Sequence, residues 1–192
     1  MRTDPSALEA AHLIDRLDRL TRSGATTEGL NPAQWEALRY LVRANRFSKT
    51  PAALADYLGS TRGTVSQTLI ALEQKGFIGR TQSLRDKRSI DLKLTPRGET
   101  ILKDDPLLTL ARDLASSANG DIGNLVETLR EALRRAVARN DGKAFGACHT
   151  CRHFQRDVGI SSRAPHRCGL LDEPLSEADS RAICVEQELV SA

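Results

Sequence analysis

Residues 54–80 read LADYLGSTRGTVSQTLIALEQKGFIGR, and they decide the fold. A short helix, TPAALADYLG from Thr50, ends at Gly59, and Thr61 is placed to cap a second helix directly after it. On that second helix the 3.6-residue period puts Val65, Leu69 and Leu72 on one buried face. The opposite face holds Gly63, Gln67 and Gln74, flanked by Thr64, Ser66 and Ala71. Two short helices joined by a tight Gly-containing turn, the second with a small polar outer face, form a helix-turn-helix pattern. Any amphipathic helix pair shares part of this pattern, so the flanking sequence has to decide.

Downstream, FIGR and SIDLKL have strand-like content, and between them TQSLRDKR is a polar, basic connection suited to a hairpin tip. Leu92 and Leu94 alternate with Lys93 as a half-buried strand requires, and Thr95–Pro96 begins another helix. A helix-turn-helix followed by a two-stranded hairpin with Arg85, Lys87 and Arg88 near its tip is a winged helix. Its helix suits a major groove, and its wing suits phosphates or a minor groove. The plainer reading of RDKR is a solvated turn in which Asp86 pairs with a neighbour.

Upstream, Asn31 is placed to cap a helix in which Pro32 takes the first position and Trp35, Leu38 and Leu41 share a core face. SALEAAHLIDRLDRLT, residues 6–21, has a helical apolar stripe with Asp4 or Ser6 ahead of it, and TRSGATTEGLN reads as a loop. Beyond residue 97 the chain is helical again, interrupted by DDP at 104–106 and SANGD at 117–121. Ile122, Leu125, Leu129, Leu133 and Val137 then form a second stripe. Both end stripes lie outside the winged-helix core and need a partner, which a homodimer supplies. The expected fold class is mainly α with a small β-hairpin wing, a winged helix-turn-helix flanked by N- and C-terminal dimerisation helices.

The 192 residues carry a net charge of only +3, but residues 60–99 hold eight Lys or Arg against four acids. That concentration is an electrostatic footprint for phosphates. With 4% aromatic residues, a helix reading duplex DNA is a better expectation than base stacking on single strands. No run approaches the roughly 18 apolar residues of a membrane span, and MRTDPSALEAAHL carries no export pattern, so a cytoplasmic protein with no membrane partner is expected. No Gly-rich phosphate loop, G-x-S-x-G or H-E-x-x-H is present, and no enzyme is expected.

LNPAQWEALRYL (30–41), the stretch quoted at the outset and SLRDKRSIDLKLTPRGE (83–99) together resemble the MarR family of transcriptional regulators over roughly residues 6–140. The resemblance implies a homodimeric winged-helix repressor of double-stranded DNA. It implies DNA contacts from Arg62, Gly63, Thr64, Ser66 and Gln67 on the recognition helix and from Arg85, Lys87 and Arg88 on the wing. The family's wing motif often starts with an acid, and Ser83 stands there instead, which removes one group that would orient Arg85. The expected division is a DNA-binding and dimerisation domain over residues 1–140 and a separate tail over 141–192.

The tail holds every cysteine of the chain, at 148, 151, 168 and 184. In a reducing compartment such clustering favours metal ligands over disulfides. The C-x2-C pair followed by two single cysteines resembles the ligand order of high-potential iron–sulfur proteins, without their aromatic shell. An iron–sulfur cluster on Cys148, Cys151, Cys168 and Cys184 is therefore expected, with zinc as the alternative and His149, His153 and His166 nearby. The regulator is expected to respond to the redox or metal state of that centre. The competing expectation is an interaction protein with a zinc-bound tail and no sensing role.

Overall fold

The computed structural model describes residues 4–23, 29–83, 85–117, 121–159 and 161–188. Parts of the expected loop (24–28), of the wing tip (Leu84) and of the SANGD break (118–120) lie outside the described residues. The chain is mainly α-helical with a small β-hairpin wing, the architecture of a winged helix-turn-helix.

Its centre is built by short, well-capped helices. In α2 (Pro32–Arg43) the Asn31 side chain accepts from the Gln34 N–H, and Gln34 returns a bond to the Asn31 N–H, a complete capping box. Thr50 caps α3 (Pro51–Leu58), which stops at Gly59 with φ 57°, a left-handed conformation that costs glycine little. Thr61 caps α4 (Arg62–Gln74), so the turn between the two helices is three residues long. The hairpin follows: β1 (Ile78–Gln82) pairs antiparallel with β2 (Ile90–Leu94), with Ile78 opposite Leu94 and Gln82 opposite Ile90. Trp35, Leu38, Leu41, Leu54, Val65, Leu69, Leu72, Phe77 and Leu92 fill one core. Gly98, early in α5 (Pro96–Ile101), lies so close to the hairpin that an added Cβ would sit 2.2 Å from the Phe77 carbonyl oxygen.

Three further helices frame this centre: α1 (Pro5–Ser23), α6 (Pro106–Ser117) and α7 (Ile122–Arg139), none of which buries a residue. Asp4, rather than Ser6, caps α1 by accepting from the Ser6 and Ala7 N–H groups. Asp105 starts α6: it accepts from the Leu107 N–H and forms a two-point ion pair with Arg39 of α2. The apolar stripes of the end helices face outward, with Leu13 55% and Leu133 63% exposed. Among the described residues no helix is long and apolar enough to cross a membrane.

The tail forms two small sheets around one short helix. β3 (Gly146–Ala147) pairs with β7 (Ile183–Cys184), and β4 (Phe154–Gln155), β5 (His166–Cys168) and β6 (Glu173–Leu175) form a three-stranded antiparallel sheet. The helix α8 (Glu177–Arg181) carries a capping box of Ser176 and Asp179. Leu175 and Phe154 pack with Cys148 and Cys184 in a small core of the tail's own. Ile183 and Val185 instead join the winged-helix core, and Phe145 packs edge-on against Tyr40 and Tyr57. Backbone bonds fix that docking: the Asn45 N–H donates to the Ile183 carbonyl at 2.9 Å, and the Val185 N–H donates to Ser48 Oγ at 2.9 Å.

Because Ile183 fills space beside the core that holds Trp35, Ile183→Ala should lower the unfolding free energy of the winged helix by about 2–4 kcal/mol. Trp35 is the single tryptophan, so its fluorescence during denaturant titration reads this directly. An unmoved midpoint would mean that the tail folds apart from the core.

Candidate nucleic-acid interface

On α4 the apolar and polar faces separate as the period requires. Val65, Leu69 and Leu72 are buried, while Arg62, Gly63, Thr64 and Gln67 are exposed and Ser66 is half-buried. The helix N-terminus is held tightly, since Thr61 Oγ1 accepts from the Thr64 N–H at 3.2 Å and lies 2.9 Å from Thr64 Oγ1. At the wing, Arg85, Lys87 and Arg88 are all exposed, and the turn closes when Asp86 accepts from the Arg88 N–H at 2.9 Å. Asp86 thus shapes the turn through the backbone. The side chains of Arg62, Lys87 and Arg88 have no ion-pair partner among the described residues. The Leu92 N–H donates to the Lys49 carbonyl at 2.7 Å, which holds the hairpin against the turn after α2.

Arg85 differs from the other wing cations. Ser83, standing where an orienting acid was expected, is buried and bonds within the hairpin. The acid comes from the tail instead: Glu173 of β6 places Oε1 3.7 Å from Arg85 Nε. The Arg85 guanidinium lies 4.5 Å from the Phe47 ring centre, and Arg46 lies 4.6 Å from the same ring. Sequence reading missed Arg46, Phe47 and Glu173. No local pattern joins positions so far apart in the chain, although adjacent Arg and Phe in a polar turn is a weak sign of a stacked cation.

The four cysteines are free and line one small recess beside Leu175 and His153. Lining a recess is not coordination, and among the described residues no group of three or more His, Cys, Asp or Glu side chains is arranged to hold a metal ion. This overturns the expectation of an iron–sulfur cluster, or of zinc, on Cys148, Cys151, Cys168 and Cys184, together with the metal-sensing and zinc-tail readings built on it. The sulfurs are held by hydrogen bonds. Asn45 Nδ2 donates to Cys148 Sγ at 3.2 Å, the Glu186 N–H donates to Cys184 and the Glu188 N–H donates to Cys151, both at 3.4 Å.

The Cys148 and Cys184 thiols shift in opposite directions. The Cys148 thiol donates to Cys184, and that bond, with burial, pushes the Cys148 pKa well up. The same bond draws Cys184 down to about 6, helped by Asn45, the Glu186 N–H and Ser48, against the effect of burial. The nearby histidines are also engaged: His166 Nε2 lies 2.9 Å from Glu177 Oε2, and His149 Nδ1 lies 3.0 Å from the Ser180 carbonyl.

Comparison with known proteins places this geometry. A sequence model of the MarR family matches residues 28–89, a span that includes α2, α3, α4, β1 and the hairpin turn and stops before β2. The transcriptional repressor MprA of Escherichia coli is 32% identical over 93 residues, covering 48% of this chain and 53% of the repressor. The chain thus spans about half the length of that curated relative. Among solved structures, a MarR transcriptional regulator from Methanosarcina mazei Go1 superposes with a TM-score of 0.54 at 20% identity, covering 68% of this chain and 96% of that one. A mutant of MepR from S. aureus gives 0.52 at 19% identity, covering 71% and 98%. At these identities the likeness is one of fold.

Cysteine reactivity depends on access as well as on thiolate content. Brief treatment of the native protein with a soluble maleimide should modify the half-exposed Cys151 and Cys168 before the buried Cys148 and Cys184, despite the thiolate character of Cys184. Peptide mass mapping checks the order, and equal rates at all four sites would contradict the buried pair.

Proposed function

We propose that the protein is a sequence-specific, DNA-binding transcriptional regulator of the MarR type, a cytoplasmic homodimeric repressor without catalytic activity. The observation that carries this reading is the pairing of a capped helix, whose outer face is small and polar, with an adjacent hairpin whose exposed tip is cationic. A face of this kind admits close approach to base edges, while the tip supplies phosphate contacts. The match of the MarR family model to this same segment supports it, as does the similarity to a curated transcriptional repressor.

In this reading residues 1–140 form the DNA-binding and dimerisation domain and residues 141–192 the cysteine-containing tail docked on it. Arg62, Gly63, Thr64, Ser66 and Gln67 face the groove, and Arg85, Lys87 and Arg88 face the backbone of double-stranded DNA. The outward leucines of α1 and α7 support dimerisation, since a second copy would cover them and would set two recognition helices against two half-sites.

Selection from a random duplex pool, followed by titration over a range of salt concentrations, tests the assignment. Arg88→Ala should weaken binding and reduce the salt slope by about one, because one fewer counterion is released. Gln67→Ala should instead relax discrimination at one base position by about 1–3 kcal/mol, with the slope unchanged. Light scattering should report a dimer at micromolar concentration. A pool that is never enriched, or a stable monomer, would refute the corresponding part of the reading.

A further inference from the structure

The tail is acidic where it meets the wing. Residues 172–188 contain six acids, Asp172, Glu173, Glu177, Asp179, Glu186 and Glu188, against the single base Arg181. Two of these acids reach the cationic side of the winged helix. Glu173 approaches Arg85 Nε at 3.7 Å with one carboxylate oxygen and Arg46 at 3.6 Å with the other. Asp179 lies 3.2 Å from Arg46, whose guanidinium also donates to the Pro174 carbonyl.

The contact is built by packing as well as by charge. Phe47 lies against the small tail core of Cys148, Leu175 and Cys184, and its ring carries both guanidinium groups. Glu173 and Leu175 share one face of β6 by the two-residue period of a strand, so the burial of Leu175 beside Phe47 turns Glu173 toward the two arginines stacked on that ring. The Arg85 side chain is nevertheless 48% exposed and that of Glu173 34%, which leaves both within reach of solvent and of a phosphate.

We propose that Glu173 is a built-in competitor for the DNA phosphate that Arg85 would otherwise contact, so that the docked tail restrains DNA binding. The inference rests on the DNA-binding reading above. A phosphate approaching Arg85 meets a carboxylate already at the guanidinium, and has either to displace it or to accept a like charge beside it. Among the described residues Arg62, Lys87 and Arg88 carry no such counter-charge, so the restraint acts at Arg85. Because the pair is half-exposed, its effect is modest and falls with ionic strength.

The test uses the full chain as wild type, Glu173→Gln, Arg85→Ala and the double variant, titrated with a mixed-sequence duplex of at least about two helical turns at several salt concentrations. Glu173→Gln should bind about two- to fivefold more tightly at low salt, with the gain shrinking as salt rises. In the Arg85→Ala background the same substitution should change affinity by less than about 1.5-fold. Unchanged or weaker binding by Glu173→Gln overturns the proposal, because Glu173 would then be neutral or would orient Arg85 for DNA. A full gain retained without Arg85 overturns it too, since general charge repulsion would explain the effect. Lack of DNA binding by all four proteins at low salt would refute the DNA-binding reading itself, and the inference with it.

Discussion

One buried amide joins the two halves of this molecule. Asn45 follows α2 directly after Ala44 and is 1% exposed. Its Oδ1 accepts from the Phe47 and Ser48 N–H groups, its Nδ2 donates to Cys148 Sγ, and its own N–H donates to the Ile183 carbonyl. Each of those groups is expensive to bury alone, so the turn after α2, the tail strand β7 and the cysteine pair hold their positions together. The turn in turn carries Arg46 and Phe47 toward the wing and supplies the Lys49 carbonyl that anchors β2.

A second constraint sets the frame. Arg39 of α2 and Asp105 at the start of α6 form an ion pair with side chains 18% and 7% exposed, and Asp105 caps α6 as well. Orientation of the framing helix is thereby tied to the core helix that packs beneath α4.

Charge divides the surface in a way that total charge conceals. Within a chain of net +3, residues 60–99 are basic and residues 172–188 are acidic. The fold brings the two segments into contact at Arg85 and Glu173 instead of holding them apart. The cysteines follow a similar rule. All four line one recess, yet N–H donors meet the sulfurs there, and among the described residues no group of three or more His, Cys, Asp or Glu side chains is arranged to hold a metal ion.

The local elements were legible in the residues themselves. Asn31, Thr50, Thr61 and Thr95 cap the helices they precede, Gly59 ends α3, and Val65, Leu69 and Leu72 face the core, because capping and periodicity act over a few neighbouring positions. The wing was legible for the same reason: alternation in SIDLKL and a polar tip are short-range signals. Long-range placement was not. Ile183 and Val185 fall in a stretch that read as a separate tail, but the larger apolar surface of the winged helix claims them. The missing acid at Ser83 read as an unoriented Arg85, yet a carboxylate from β6 fills that place. Four cysteines at ligand-like spacing read as a metal centre, because spacing reports which side chains come near one another and not how their donor atoms are arranged once folded. Those outcomes depend on burial and on partners distant in the chain, and only the assembled tertiary structure supplies both.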